Sequence, residues 1–238
     1  MTTTGTSTFN LEIADVIEEA AMRAGGQPML GNEVVGAIRL LDLMLTDWQN
    51  RGILLWTLEY DSLALVKGTS LYTLPVDTVD IYAAALHRGN FDFMMPRLSA
   101  EKWLAIPNKT TQGRPTQYFV ERLRDGPQIH LWLVPENSTD TVSYWRIRNL
   151  QDSNKLAINP DVPRRYLPPL VSGLAYYFAQ RRPASAEAAG QGSAYMSGAY
   201  VAMQRITQLK GLYEEELQRA MEEDRERAPS EAKPRFRI

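Results

Sequence analysis

The spacing of apolar residues changes twice along this chain, and that change constrains the fold more than any other feature. Apolar residues recur at helical spacing as far as Trp48, alternate at strand spacing from Leu55 to Leu150, and return to helical spacing after Asp161. A period of about 3.6 residues places a stripe on one face of a helix, whereas a period of two places it on one face of a strand. The sequence therefore predicts two helices, a β module and two further helices.

The first two helices are delimited by capping residues and glycines. The first is predicted to begin at Asn10, a favourable N-cap, and to end at Gly25-Gly26. The second is predicted from Asn32 to Arg51, with Gly52 in the left-handed conformation that commonly ends a helix. We expect these helices to form an antiparallel hairpin that needs further apolar partners.

Two more helices are predicted near the end of the chain. One carries Pro168-Pro169 in its first turn, where a missing N–H is tolerated. After a link rich in small residues, Arg182–Gly192, the last helix is predicted from Ser193 to Arg227. Its second half, EEELQRAMEEDRER, is expected to be a solvated charged surface. Its first half is expected to pack through Val201, Ile206, Leu209 and Leu212.

The stretch Asp47–Pro75 joins the second helix to the β module. Lys67-Gly68 predicts a turn between two strands, and hence a β-hairpin that Pro75 ends. A short helix capped by Ser99 interrupts the module. The predicted strands are Leu55–Val66, Leu71–Leu74, Val79–His87, Phe91–Met95, Gln117–Glu121, Gln128–Val134 and Thr141–Ile147.

Together these elements predict an α+β fold: a four-helix assembly made from both chain ends, with an inserted antiparallel β-barrel or sandwich lobe. The expected divisions are an N-terminal helical hairpin (1–54), the β lobe (55–150) and helices that complete the helical layer (151–227). Residues 228–238 are expected to form an extended tail.

Composition removes several classes of function. A net charge of −2 argues against strong non-specific binding to nucleic acid or to a membrane. The absence of cysteine excludes disulfides, thiol catalysis and thiolate metal sites. The first ten residues do not resemble a signal peptide, and no apolar run approaches the ~18 residues that span a bilayer. The chain is expected to be made and kept in the cytoplasm unless a larger assembly carries it out.

Motifs for catalysis or cofactor binding are absent, so no catalytic, cofactor or metal residue is assigned. His87 and His130 lie in separate predicted strands. They either face solvent or a neighbouring strand, or they meet across the β module and hold a metal ion. An acid pair for glycoside hydrolysis stays open as the alternative function. The acids that could supply it are Asp61, Asp77, Asp80, Asp92 and Glu101, which otherwise serve as turn and cap residues. A DNA-end binding protein is a third hypothesis, which the net charge disfavours.

Aromatic residues are frequent in the β module, from Tyr60 to Trp145, without the interleaved basic residues of a base-stacking platform. We interpret them as core residues and subunit contacts. The tail alternates basic and apolar side chains, as a segment that docks on a partner does, although it also fits a frayed terminus. Its candidate docking residues are Lys233, Arg235, Phe236, Arg237 and Ile238.

Four phrases of the sequence resemble the tail adaptor family of short-tailed bacteriophages, which are head-to-tail connectors. They are Asp47–Pro75, GRPTQYFVER (Gly113–Arg122), QIHLWLVPEN (Gln128–Asn137) and DVPRRYLPPLVSGLAYYFAQRRP (Asp161–Pro183). The resemblance covers roughly residues 10–183.

The resemblance implies a virion protein of the neck or tail, a homo-oligomeric and usually dodecameric ring without cofactor or catalytic residues. Its partners would be the portal protein on one side and the tail nozzle or tube on the other, with double-stranded DNA passing through without specific binding. The tail residues would then dock on the portal. Trp48, Gly52 and Trp56 would matter for ring geometry, and extra apolar residues such as Leu40, Met44, Tyr176 and Tyr177 would offer subunit contacts.

Overall fold

The computed structural model describes residues 9–26, 31–53, 55–181 and 193–227. Within these ranges the fold is α+β, and no sheet closes into a barrel. Two compact units are formed: a helical unit from Met1–Ile53 and Leu150–Ile238, and a β unit from Leu54–Asn149. The predicted link Arg182–Gly192 and the predicted docking residues after Arg227 lie outside the described residues.

The helices are α1 (Ile13–Arg23), α2 (Asn32–Asn50), α3 (Ala100–Leu104), α4 (Leu167–Arg181) and α5 (Ser193–Arg227). The strands are β1 (Leu58–Ala64), β2 (Leu71–Thr73), β3 (Thr78–Arg88), β4 (Phe91–Met95), β5 (Gln112–Gly113), β6 (Gln117–Glu121), β7 (Gln128–Trp132), β8 (Val134–Pro135) and β9 (Thr141–Arg148). Short 3₁₀ helices occupy Leu55–Thr57 and Arg164–Tyr166.

The start of α1 corrects the prediction that Asn10 caps it. The N-cap is Glu12, which forms a capping box with Asp15. The backbone N–H groups of Ile13 and Ala14 donate to the carbonyls of Ile158 and Leu156 at 2.9 and 3.1 Å. Those first-turn donors have no partner within the helix, so a distant segment that accepts them determines where α1 begins.

Both N-terminal helices end in the same motif, as their glycines predict. At the end of α2, the N–H of Gly52 donates to Gln49 O at 2.9 Å and that of Ile53 to Trp48 O at 3.2 Å. This pair of bonds is the Schellman motif, and it requires the left-handed conformation found at Gly52, with φ of 81°. Gly25 and Gly26 end α1 with the equivalent bonds.

Helix α4 is the centre of the helical unit, since α1, α2 and α5 all pack on it. Contact between α1 and α2 is minor by comparison, so the N-terminal hairpin is joined through α4. One face of α4 is buried, and the two prolines lie in its first turn as predicted; the large apolar residues of that face are Leu167, Leu170, Val171, Leu174 and Phe178. At Gly173 the helices come so close that a Cβ atom would lie 2.7 Å from Met44 Sδ and 2.7 Å from Tyr213 Cε2. Met44 is fully buried there and offers no contact to another subunit.

The burial of α5 departs from the prediction in part, although Leu209 is buried and Ile206 half-buried as predicted. Its acidic second half packs, through the buried stripe Tyr213, Leu217, Ala220 and Asp224. In its first half, Val201 is 62% exposed and Leu212 40% exposed, while Leu209 is buried. Tertiary contacts decide this, because Asp224 is held by Arg165 and Tyr166, and Tyr213 by Trp48. Charge density alone could not reveal partners that lie far away in sequence.

The β unit contains a four-stranded sheet, β1-β9-β3-β4, a three-stranded sheet, β2-β7-β6, and the short parallel pair β5-β8. Strands β3 and β4 form a hairpin through Gly89-Asn90. The hairpin predicted around Lys67-Gly68 is wrong, because β1 pairs with β9 and β2 with β7. The turn itself is present, with a bond from Thr69 N–H to Val66 O at 3.0 Å and a φ of 82° at Gly68, and the Tyr72 hydroxyl bonds the backbone of Val66 and Thr69 there.

The core of the β unit lies between its two larger sheets, as in a sandwich. The parallel pair β5-β8 differs from the prediction, which was a fully antiparallel lobe. Alternate residues of β3 and β9 face the core, as do alternate residues of β6 and β7. Ser99 caps α3 as predicted, accepting a bond from Lys102 N at 3.3 Å. The buried cluster consists of Leu65, Leu74, Ile81, Ala84, Leu86, Met95, Tyr118, Val120, Ile129, Leu131, Val142 and Tyr144.

Candidate assembly surfaces

The outer face of the four-stranded sheet carries an exposed aromatic pair. Tyr60 of β1 lies opposite Trp145 of β9, which in turn lies opposite Ala83 of β3. The two rings are 5.6 Å apart in an edge-to-face arrangement, and they are 61% and 46% exposed. With Ala83 beside them, they form a flat apolar surface, which we call the sheet face. Exposed patches of this kind mark protein contacts.

Residue type alone does not distinguish Tyr60 and Trp145 from the aromatic residues of the core. A signal for the separation exists in β9, where Tyr144 and Trp145 are adjacent. Successive side chains of a strand point to opposite faces, so one of two adjacent aromatics must point away from the core. Tyr144 is the buried one, and burial together with its hydrogen bond to Asp61 raises the pKa of its hydroxyl.

The exposed first half of α5 is a second apolar surface. Tyr200, Val201 and Met203 are all more than half exposed within the described residues. Such an apolar helix surface, left uncovered by the described part of the chain, is typical of contact with another chain. This surface is convex and lies on the helical unit, whereas the sheet face is flat and belongs to the β unit.

A groove of about 820 Å³ lies between α1 and the start of α4. Its apolar lining includes Leu11, Met22, Leu167 and Val171. Acidic side chains of α1 and arginines of α1 and the Arg164–Tyr166 turn surround that lining. The groove contains no histidine or cysteine. Its apolar and charged lining suits binding of a segment that is itself apolar and charged.

The residues predicted to form the junction are placed as follows. Trp48 is fully buried in the helical unit, and its indole N–H donates to the Tyr213 hydroxyl at 2.8 Å. Burial raises the pKa of that tyrosine to about 12. Gly52 ends α2, and Trp56 lies half-buried in the 3₁₀ turn of the β unit. The structure thus gives Trp48 and Gly52 a clear role in stabilising the end of α2.

The acids considered for hydrolysis are mostly held by other side chains. Asp77 binds Arg146 at 2.6 Å, Asp80 binds Arg97 at 2.9 Å, and Asp92 binds His87 at 2.7 Å. Asp61 accepts a hydrogen bond from the Tyr144 hydroxyl, and Glu101 lies in the first turn of α3. These contacts link strands and support no acid pair for hydrolysis.

The two histidines occupy different sheets with different partners. His130 in β7 contacts Glu121 at 2.9 Å and lies beside the ring of Trp103, whereas His87 in β3 contacts Asp92. In the part of the chain that the structure describes, no group of three His, Cys, Asp or Glu residues could hold a metal ion. None of the described helices has the length and apolar character needed to cross a membrane.

These features define an α+β protein whose most developed surfaces are suited to contact with other proteins. A model of the SU10 adaptor protein family matches residues 11–233. The chain belongs to this family of phage adaptors, and the family predicted from its sequence is confirmed. It is a structural adaptor of a phage. A search among curated proteins finds no match.

Proposed function

We propose that the protein is a head-to-tail adaptor, forming a ring between the portal and the tail nozzle or tube and continuing the DNA channel. Membership of the phage adaptor family supports the class of function. The observation that carries the ring is the presence of two unlike exposed apolar surfaces, the sheet face and the first half of α5.

A ring requires this difference between surfaces. In a closed ring each subunit meets its neighbours through two different, complementary patches, whereas a two-fold dimer uses one patch twice. A flat sheet surface and a convex helix surface are unlike each other, and so they suit a head-to-tail contact. The copy number that we propose is twelve, on the resemblance to dodecameric connectors.

The proposed channel transports DNA without retaining it. Each lysine or arginine that neutralises a phosphate adds a salt-dependent contact that slows passage. The net charge of −2 is consistent with passage, and many arginines of the β unit are already paired with carboxylates. We therefore expect weak, sequence-independent contact with double-stranded DNA.

Contact with the portal is proposed for the tail residues. Lys233, Arg235 and Arg237 alternate with apolar residues, and such segments gain order and affinity when they dock on a partner. A separate contribution to ring assembly is proposed for Trp48, Gly52 and Trp56. They would stabilise the chain where it passes from α2 into the β unit.

The ring is tested by mixing the full chain with its portal protein and determining the mass and symmetry of the complex by native mass spectrometry and electron microscopy. We expect a closed ring of one copy number. The substitution Trp145→Glu should prevent ring closure, because it places a charge on the sheet face. The matched control is Leu123→Glu, since Leu123 is also 46% exposed but lies in a loop.

Each outcome decides a different point. If the unaltered chain does not bind the portal, the adaptor proposal is refuted. If it binds and both variants form rings equally well, the adaptor survives and the sheet face is not the subunit contact. A parallel Val201→Glu variant tests the α5 surface in the same way.

A further inference from the structure

The groove between α1 and α4 is lined by apolar side chains, three acids of α1 and three arginines, so which of these charges are already paired decides what it can bind. Glu18 is exposed on its α1 side and has no ion pair among the described residues. The arginines of the groove are already engaged: Arg23 binds Glu19 at 2.9 Å, Arg165 binds Asp224, and Arg164 lies over the ring of Phe9 at 5.7 Å. Glu18, together with the exposed Asp15, is therefore available to an incoming cation.

The floor of the groove needs an apolar occupant. Met22 is 52% exposed, and Phe9, which also lines the groove, is 61% exposed. Leaving such side chains in water is unfavourable by roughly 25 cal/mol per Å² of apolar surface. An aromatic or large aliphatic side chain inserted between α1 and α4 would recover part of that free energy.

One stretch of this chain outside the described ranges has the matching composition. Residues 228–238 contain Lys233, Arg235, Phe236, Arg237 and Ile238. Residues 1–8 and 27–30 contain no lysine or arginine, and residues 182–192 contain no apolar residue larger than alanine apart from proline. When extended, residues 233–238 present basic side chains on one side and apolar ones on the other.

The position where α5 ends brings that stretch within reach. Asp224, three residues before the end of α5, accepts a bond from the Tyr166 hydroxyl at 2.8 Å and binds Arg165, which lines the groove. Eleven extended residues span up to about 36 Å. The groove follows α1 from Asp15 to Met22, a rise of roughly 10 Å, so the stretch is long enough to enter it.

We propose that, in the free subunit, the groove between α1 and α4 binds the C-terminal stretch of the same chain, with Phe236 on the apolar floor and Arg235 or Arg237 beside Glu18. A tethered segment of this length has an effective concentration on the order of millimolar, so modest contacts suffice. The interaction keeps the stretch from other partners until assembly, and it does not depend on the ring.

The absence of cysteine permits a direct test. The full chain with Met22→Cys is labelled with a bimane fluorophore, which tryptophan quenches on contact, and Phe236→Trp supplies the quencher. We expect loss of most of the bimane emission relative to the same label with Phe236 retained, and no change on dilution. Adding Glu18→Lys, or Arg235→Glu with Arg237→Glu, should restore the emission.

The control label is at Glu33→Cys, an exposed position on the first turn of α2. It is remote from the groove, because neighbouring Gly36 contacts Arg181 at the opposite end of α4. Quenching at Met22 alone supports the proposal. Equal quenching at both labels, or none at either, overturns it. Quenching that grows with protein concentration also overturns it, since the stretch would then bind a second copy.

Discussion

Replacing Gly173 by alanine should destabilise the helical unit, although alanine is the better helix former. The new Cβ would lie 2.7 Å from Met44 Sδ and 2.7 Å from Tyr213 Cε2. Carbon atoms in ordinary contact are about 3.5–4.0 Å apart. The end of Met44 can rotate away, but the ring of Tyr213 is fully buried and its hydroxyl is held by Trp48. The helices must therefore move apart.

Two opposing contributions determine the change in the free energy of unfolding. Alanine gains about 1 kcal/mol over glycine within a helix. Overpacking in a closely packed interior costs about 1–3 kcal/mol. We expect a net loss of up to about 2 kcal/mol. For a protein of this size that lowers the melting temperature by roughly 2–4 °C per kcal/mol.

The matched control is Gly211→Ala in α5, where a Cβ meets nothing within 4 Å. It should stabilise the chain by about 0.5–1 kcal/mol through helix propensity. Gly36→Ala in α2 should behave like the control, because the Cβ meets only the mobile end of Arg181 at 3.0 Å. The difference between Gly173→Ala and Gly211→Ala therefore isolates the overpacking cost.

Urea and thermal unfolding followed by far-ultraviolet circular dichroism, with the three variants in parallel, give these free energies. Stabilisation by Gly173→Ala as large as that by Gly211→Ala would refute the close approach of α2, α4 and α5 at Gly173.

Three further predictions concern single residues. Burial raises the pKa of Tyr213 to about 12 against about 10 unfolded, so its contribution to stability is intact below pH 10 and is lost, by up to about 3 kcal/mol, towards pH 12. In urea titrations Tyr213→Phe should reduce the alkaline fall by that amount without removing it, because burial also raises the pKa values of Tyr144 and Tyr166; an equal fall in the variant would exclude this tyrosine. Gly52→Val should lower the free energy of unfolding by about 1–2 kcal/mol and impair ring assembly, because φ at this position is 81°. Gly52→Asn should be tolerated, and normal assembly by the valine variant would show that the joint is not critical. Arg146→Met should destabilise the β unit by about 1–3 kcal/mol, because Arg146 binds Glu59 and Asp77 at 2.7 and 2.6 Å. An unchanged unfolding transition, monitored by near-ultraviolet circular dichroism, would contradict this prediction.

Local signals predicted most of the elements and their ends. The periodicity located α2, α4 and α5, and β4 and β6 have their predicted bounds. Gly52 and Ser99 perform the capping roles that their residue types favour. These predictions hold because helix caps depend on bonds between residues only a few positions apart.

The candidate assembly surfaces were harder to predict from the sequence than the helices and strands were. The tail residues could be singled out by composition, but the sheet face required knowing that β1, β9 and β3 are neighbours. The groove depends on α1 packing against α4, which are about 150 positions apart in the chain. Such surfaces are assembled from residues whose proximity no local pattern encodes.

The sequence by itself determined which stretches are helices and strands, where most of them end, and to which family the chain belongs. Only the tertiary structure decided that β1 and β2 join different sheets, and that one stripe of the acidic half of α5 packs while Val201 and Met203 of its first half stay exposed. The reason is physical. Helix and turn formation are decided by short-range sterics and hydrogen bonds, whereas strand pairing and burial depend on partners such as Trp48, Tyr166 and Arg165, far away in the chain.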